Sequence, residues 1–255
     1  MIVFTKIAVE RRIVMTLFYA FGVILILVLA GVYLHRLKRR ASNARMEENK
    51  SQIASSEAAM TFDDIPDVPI PFGYKNQWFA VKTSDSQAVI KDLNLVNVRV
   101  SNWRTGLLGA YAGYYFISPP VQGWTLVISL EMPDLNQSED PGPLTAILKL
   151  SATFGEACYF GTHRVVEYHA WAKAVNGNVV RAYGYLGEAG EELINEGKLS
   201  REEMEHHLIF TGTDVEVPSL PTEEDVLLMA KLWTIDPQME DVYAEPATGF
   251  IGTPQ

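Results

Sequence analysis

The chain has 255 residues, and the 48% that are hydrophobic suffice for one domain of ordinary size with additional segments. Residues 1–50 carry nine Lys/Arg and three Asp/Glu, a net of +6, whereas residues 51–255 carry 12 and 28, a net of −16. A body this acidic repels phosphate groups, which argues against nucleic-acid binding and favours a basic partner. The single cysteine, Cys158, excludes an internal disulfide and a cysteine-based zinc site.

The segment at 13–34 predicts a membrane-spanning helix. It contains no charged residue and would extend roughly 33 Å at about 1.5 Å per residue. A signal peptide has a shorter apolar core and a small-residue cleavage site, whereas cations follow this segment directly. We therefore expect an uncleaved signal anchor after a short flank at residues 1–12.

The cations around this segment predict its orientation. Three precede it and five follow it, namely Lys6, Arg11 and Arg12, then Arg36, Lys38, Arg39, Arg40 and Arg45. Because the more basic flank stays on the cytoplasmic side, we expect a single-pass membrane protein whose C-terminal domain faces the cytoplasm.

Residues 35–73 form a predicted juxtamembrane linker that is basic at first and Pro-rich at its end. Its last part contains Pro66, Pro69 and Pro71. These prolines favour extended backbone and forbid a regular helix, so the linker would act as a spacer. An acidic globular domain is then expected at 74–243, followed by a flexible tail at 244–255.

Within the domain, strand patterns occur in runs that few helices interrupt. Strands are predicted at 77–83, 94–100, 113–120, 123–130 and 156–163, and helices at 84–93 and 143–155. Trp103 and Gly106 lie in a turn-like stretch. This order favours an α+β fold with a mostly antiparallel sheet and a few packed helices.

After Gly190 the pattern predicts helical structure. Ser200 with Glu203, and Thr222 with Asp225, have the spacing of capping boxes that open helices. In the second of these helices one face is apolar and is expected to be buried; it consists of Val226, Met229, Ala230 and Trp233.

Asn176-Gly177 between two apolar runs predicts a hairpin with a two-residue turn. Such a turn would pair Val175 with Asn178 and Trp171 with Ala182. On one predicted face the first strand carries His163, Glu167 and His169. The other predicted face carries Tyr168, Arg181, Tyr183 and Tyr185.

Glu167 and His169, two residues apart on one face, are the candidate catalytic acid–base pair. His163 would lie roughly 20 Å from His169 along a strand, too far for one metal ion to bind both. We therefore expect neither a metal nor a cofactor. Polar groups along the wet side of a sheet are the alternative explanation.

Tyr168, Arg181, Tyr183 and Tyr185 are the candidate binding residues. Arginine and tyrosine are enriched at recognition surfaces, and four of them on one face suit such a surface. Packing of the tyrosines across neighbouring strands is the alternative.

The sequence lacks the phosphate-loop, nucleophile-elbow and dinucleotide-binding motifs. The expected function is a membrane-anchored acidic binding module that captures a protein partner, with immunity against a toxic basic protein, or its inhibition, as one concrete version. One alternative is a membrane-tethered enzyme that uses Glu167 and His169, with Arg181 holding an anionic group. Another is a structural subunit of a membrane assembly, with helix packing through Tyr19, Gly22 and Gly31.

Overall fold

The computed structural model describes residues 60–135, 142–187, 190–211, 218–240 and 244–255. From Thr61 to Gln255 the described chain forms one compact unit. Within these ranges, no helix combines the length and the apolar character that a bilayer crossing requires. The predicted membrane helix at 13–34 and its flanks lie outside the described residues.

The described residues contain one antiparallel sheet. Its strands are β1 (Gln77–Val81), β2 (Leu95–Ser101), β3 (Tyr115–Ile117), β4 (Thr125–Ser129), β5 (Glu156–His163), β6 (Tyr168–Val175), β7 (Asn178–Leu186), β8 (Glu191–Gly197) and β9 (Gly249–Pro254). The spatial order is β2-β9-β3-β4-β1-β5-β6-β7-β8, and all neighbouring pairs are antiparallel.

The helices of the described part are α1 (Ser86–Asp92), α2 (Trp103–Tyr111), α3 (Pro143–Phe154), α4 (Arg201–Glu205) and α5 (Glu223–Trp233). A large antiparallel sheet with few helices is an α+β fold, so the predicted fold class is confirmed for the described residues.

Both faces of the sheet are apolar, and helices cover each of them. On one face, Phe79 of β1 and Tyr159 of β5 lie in register and belong to the same core as α3. On the other face, Trp78 stacks on Phe160, and Phe160 contacts the ring of Trp233 in α5. Burial on both faces explains why the central strands are nearly continuous apolar runs.

The predicted helix starts are confirmed at α3, α4 and α5. Pro143 occupies the first turn of α3, where its missing N–H costs no hydrogen bond. Both capping boxes form, Ser200 with Glu203 and Thr222 with Asp225. At α1 the cap is Asp85, whose side chain accepts a hydrogen bond from the N–H of Ala88 at 2.9 Å.

Residues 103–111 form helix α2, where the sequence predicted a turn. Asn102 caps the helix, and the carboxylate of Asp67 accepts hydrogen bonds from its first two N–H groups at 2.6 and 3.0 Å. Gly106 permits close packing and not a turn, because a Cβ there would lie 2.2 Å from the ring of Phe116. The helix therefore depends on a carboxylate that is distant in sequence.

Residues 191–197 form the edge strand β8, where helical structure was predicted. Ile194 is 3% exposed and packs into the core, whereas Glu191, Glu192 and Glu196 are exposed. Glutamate favours helices over strands in isolation, but charged side chains suit an edge strand because they discourage pairing with another chain.

The segment expected to be a flexible tail contains strand β9. It lies between β2 and β3, and its Ile251 is fully buried. Gly249 and Gly252 interrupt the apolar pattern, but partners on both sides complete the hydrogen bonding of the strand. At the other end, residues 61–73 of the predicted linker belong to the compact unit, in which Phe72 is buried.

The Asn176-Gly177 turn forms as predicted, with φ of 48° and 76°, and Val175 pairs with Asn178. The predicted pairing fails beyond Val179 because Val180 is an extra residue on β7.

This bulge shifts every later pair by one position. Trp171 therefore pairs with Tyr183, and not with Ala182. As a result Tyr183 lies on the same face as His169 and Trp171, and the predicted division of side chains between the two faces is wrong.

Candidate functional site

A cleft of about 420 Å³, which we term the His169 cleft, lies where β6 begins, beside the N-terminus of α5. It contains both predicted catalytic candidates and one of the predicted binding residues. Its polar lining includes Arg164, Glu167, His169, Tyr185, Glu223 and Glu224.

A chain of hydrogen bonds holds His169 at this cleft. Its Nδ1 lies 3.0 Å from the hydroxyl oxygen of Thr162, and that hydroxyl donates to Oε2 of Glu223 at 3.2 Å. Because the hydroxyl proton goes to Glu223, the threonine oxygen accepts the proton on Nδ1. The Nε2 atom of the neutral imidazole then keeps its lone pair.

The environment of His169 favours the neutral ring. Burial lowers the pKa of His169 because desolvation disfavours the imidazolium ion, and the nearby carboxylates, Glu223 first, only partly offset this effect. His169 is only 4% exposed. A neutral imidazole with a free lone pair is the form that a general base requires.

The lowered pKa predicts a pH dependence of stability. As the pH falls from about 8 through about 6.5, residue 169 takes up more proton in the unfolded chain than in the folded chain, so the free energy of unfolding decreases. Urea unfolding of the wild type and of His169→Gln, at several pH values in this range, measures the effect. The wild type should lose stability more steeply; parallel curves would contradict the assignment.

The structure places Glu167 in the turn between β5 and β6, and not within a strand. Its φ is 54°, a left-handed conformation that is uncommon for a residue with a side chain. The single strand expected to run from His163 through His169 is folded back here, so that His163 pairs with Tyr168.

The Glu167 side chain lies over Gly187. A Cβ at position 187 would come within 2.2 Å of Oε2 of Glu167, so any larger residue would displace the carboxylate. The backbone N–H of Gly187 also donates to the carbonyl of Glu167 at 3.0 Å. Glu167 and His169 both line the His169 cleft.

The four predicted binding residues are buried. Nε of Arg181 contacts both carboxylate oxygens of Glu203, at 2.9 and 3.0 Å, so the guanidinium already has its anion. Tyr183 packs against neighbouring aromatic rings, and Tyr168 lies in the core on the opposite face. Tyr185 lines the His169 cleft. The four residues do not form one exposed recognition surface, because all of them are buried and Tyr168 lies on the opposite face from the other three.

Thr162 and Glu223 were missed by reasoning from sequence. They are 61 positions apart, and Glu223 follows a helix cap that predicts only where α5 begins. Recognising the turn at 164–167 would have placed Thr162 opposite His169, but these residues include no Gly, Pro, Asn or Asp.

Other reactive groups of the described residues do not extend the site. No group of three or more His, Cys, Asp and Glu in these residues is arranged to hold a metal ion. Cys158 is fully buried, and burial raises the pKa of its thiol, so it is an inert thiol.

The His169 cleft combines a neutral imidazole, three acidic side chains and a tyrosine. Such a set can attract a cationic group, and it can also exchange a proton between a histidine and a carboxylate. No protein family, curated protein or solved structure matches this chain.

Proposed function

We propose that this chain is a membrane-anchored acidic binding module that captures a basic protein partner in the His169 cleft. The observation that carries the proposal is the lining of the cleft, in which Glu167, Glu223 and Glu224 outnumber Arg164. The net charge of −16 on residues 51–255 supports it, because a negative field draws a basic partner toward the domain.

The cleft suits a lysine or arginine side chain of the partner. Glu223 is 7% exposed and is held by the N–H of Lys75 at 3.0 Å, so its charge is fixed at the base. Glu167 and Glu224 are exposed and stand at the rim. A cation between them would make charge-assisted hydrogen bonds, the stronger kind in proteins.

The same proposal includes the anchor at 13–34 and a cytoplasmic domain. A tether would concentrate the binding module at the membrane, and the spacer would leave the cleft accessible. A narrower form of the proposal is an immunity or inhibitor protein. Its acidic cleft would bind a basic side chain of a toxic protein and so block the activity of that protein.

The test is capture of the partner by the detergent-solubilised full chain, at about 50 mM and about 500 mM salt. A single stoichiometric partner should bind at low salt and be lost at high salt. In the double variant Glu167→Gln/Glu224→Gln the affinity for the partner should fall about tenfold or more, because both rim carboxylates that would pair with the partner's cation lose their charge.

The matched control is Asp64→Asn/Glu245→Gln, which removes the same charge from exposed residues outside the cleft. This variant should bind like the wild type at low salt. If both double variants weaken binding equally, only the net charge of the domain matters. Partner binding that is independent of salt concentration would refute the proposal.

A second candidate function is an enzyme that uses Glu167 and His169 as its acid–base pair. The observation that favours it is the hydrogen-bond chain from Glu223 through Thr162, which leaves Nε2 of His169 basic. The part assigned to Arg181 in this hypothesis has no support, since Glu203 neutralises the guanidinium. If the Glu167→Gln variant folds normally but loses a catalytic activity that the wild type has, this function is favoured over partner capture.

A further inference from the structure

A second cleft, the Gln77 cleft, has a volume of about 480 Å³ and lies at the start of β1 and the end of β5. Among the described residues, no lining residue is common to this cleft and the His169 cleft. Its lining includes Lys75, Gln77, Met132, Asp134, His163 and Val166. A volume of this size lies in the range of small-molecule sites.

The carboxamide of Gln77 presents an acceptor that has no partner. Gln77 is 6% exposed, and its Nε2 donates to Oδ1 of Asp134 at 2.7 Å. This bond decides which end of the amide is the oxygen. Oε1 then has no hydrogen-bond partner among the described residues. A buried amide oxygen without a hydrogen bond is energetically unfavourable, and an N–H group of a ligand would supply the missing bond.

The loop that carries Asp134 is anchored on both sides. The backbone N–H of Leu135 donates to the hydroxyl of Tyr168 at 2.6 Å, and the hydroxyl of Tyr159 donates to the carbonyl of Pro133 at 3.2 Å. The two tyrosines are fully buried and lie 2.9 Å apart at their hydroxyls. The orientation of Asp134, and through it that of Gln77, is therefore set before any ligand arrives.

The remaining lining defines what such a ligand would carry. Oε1 of Gln77 and the carboxylate of Asp134 both favour a protonated amine. Lys75 is exposed at the rim and His163 is half-buried, and both suit an anionic group. Met132 belongs to the apolar part of the wall and would contact an aliphatic chain.

We infer that the Gln77 cleft binds a small zwitterion, of the class of α-amino acids with an apolar side chain. The ammonium group of the ligand donates to Oε1 of Gln77 and faces the carboxylate of Asp134, and the ligand carboxylate faces Lys75. The two clefts are neighbours, since Thr162 lines the Gln77 cleft and bonds to His169 and Glu223. The side chains that would bind the amino acid do not line the His169 cleft, so the two proposals can fail independently.

The test is thermal unfolding of the detergent-solubilised full chain with L-leucine, L-methionine or L-valine at about 10 mM. At least one should raise Tm by on the order of 5 °C, the shift expected when a ligand is present at about a hundredfold excess over its Kd. N-acetyl-L-leucine, which lacks the ammonium group, and L-leucinamide, which lacks the carboxylate, should bind at least tenfold more weakly.

The variant Gln77→Leu should abolish the shift, whereas Glu131→Gln, at an exposed neighbour outside the lining, should keep it. If Gln77→Leu does not fold, the rim variant Lys75→Met provides the test. It should bind leucine at least tenfold more weakly than the wild type does. Glu167→Gln/Glu224→Gln should bind leucine normally. No shift with any of the three amino acids, or leucinamide binding as tightly as leucine, would overturn the inference.

Discussion

Changing Glu203 to Gln should destabilise the domain by about 3 kcal/mol or more, because the change leaves a buried cation without its counter-charge. The side chains of Arg181 and Glu203 are 4% and 0% exposed, and Nε of the arginine bonds to both oxygens of the carboxylate. The same carboxylate accepts the indole N–H of Trp171 at 3.0 Å. Urea or thermal unfolding of the wild type and the variant measures the loss.

The matched control for this prediction is Glu205→Gln, two positions along α4. Glu205 pairs with Arg201 on the helix surface, with side chains 53% and 80% exposed. Because solvent screens an exposed pair of this kind, this variant should unfold almost like the wild type. Equal effects of the two variants would show that the Arg181–Glu203 pair is not buried as described.

Deleting residues 249–255 should abolish cooperative unfolding altogether. The deletion removes β9 from between β2 and β3, so that both neighbours lose their backbone hydrogen bonds on one side, and it takes away the fully buried Ile251. The truncated chain should lose its near-UV circular dichroism and be degraded rapidly by protease.

Two milder changes define what the strand contributes. Removing Gln255 alone, which is exposed and outside β9, should leave Tm unchanged. Ile251→Ala should lower the free energy of unfolding by about 2–5 kcal/mol, since it leaves a cavity in a packed core. A stable, fully folded protein lacking residues 249–255 would mean that this segment is the loose tail that the sequence alone predicts.

The candidate site was predicted only in part. Glu167 and His169 were identified as a pair from their spacing, and both line one cleft. The spacing assumed one continuous strand, whereas Glu167 lies in a turn with left-handed backbone and only His169 belongs to β6. The residue that holds His169, Thr162, became visible only with the pairing of β5 and β6.

The sequence by itself determined the features that depend on near neighbours. The two capping boxes, the proline at the start of α3, the Asn-Gly turn and the α+β class all follow from residues a few positions apart. The anchor at 13–34 rests on the same kind of local signal and stays a prediction.

Only the tertiary structure decided the features that depend on distant partners. Asp67 starts helix α2 from 36 positions away, Glu223 reaches Thr162 across 61, and β9 becomes a strand because β2 and β3 supply its hydrogen bonds. The bulge at Val180 turned the hairpin residues to faces that no alternation rule predicts. Local propensities differ by about 1 kcal/mol or less per residue, and long-range burial and hydrogen bonding exceed them.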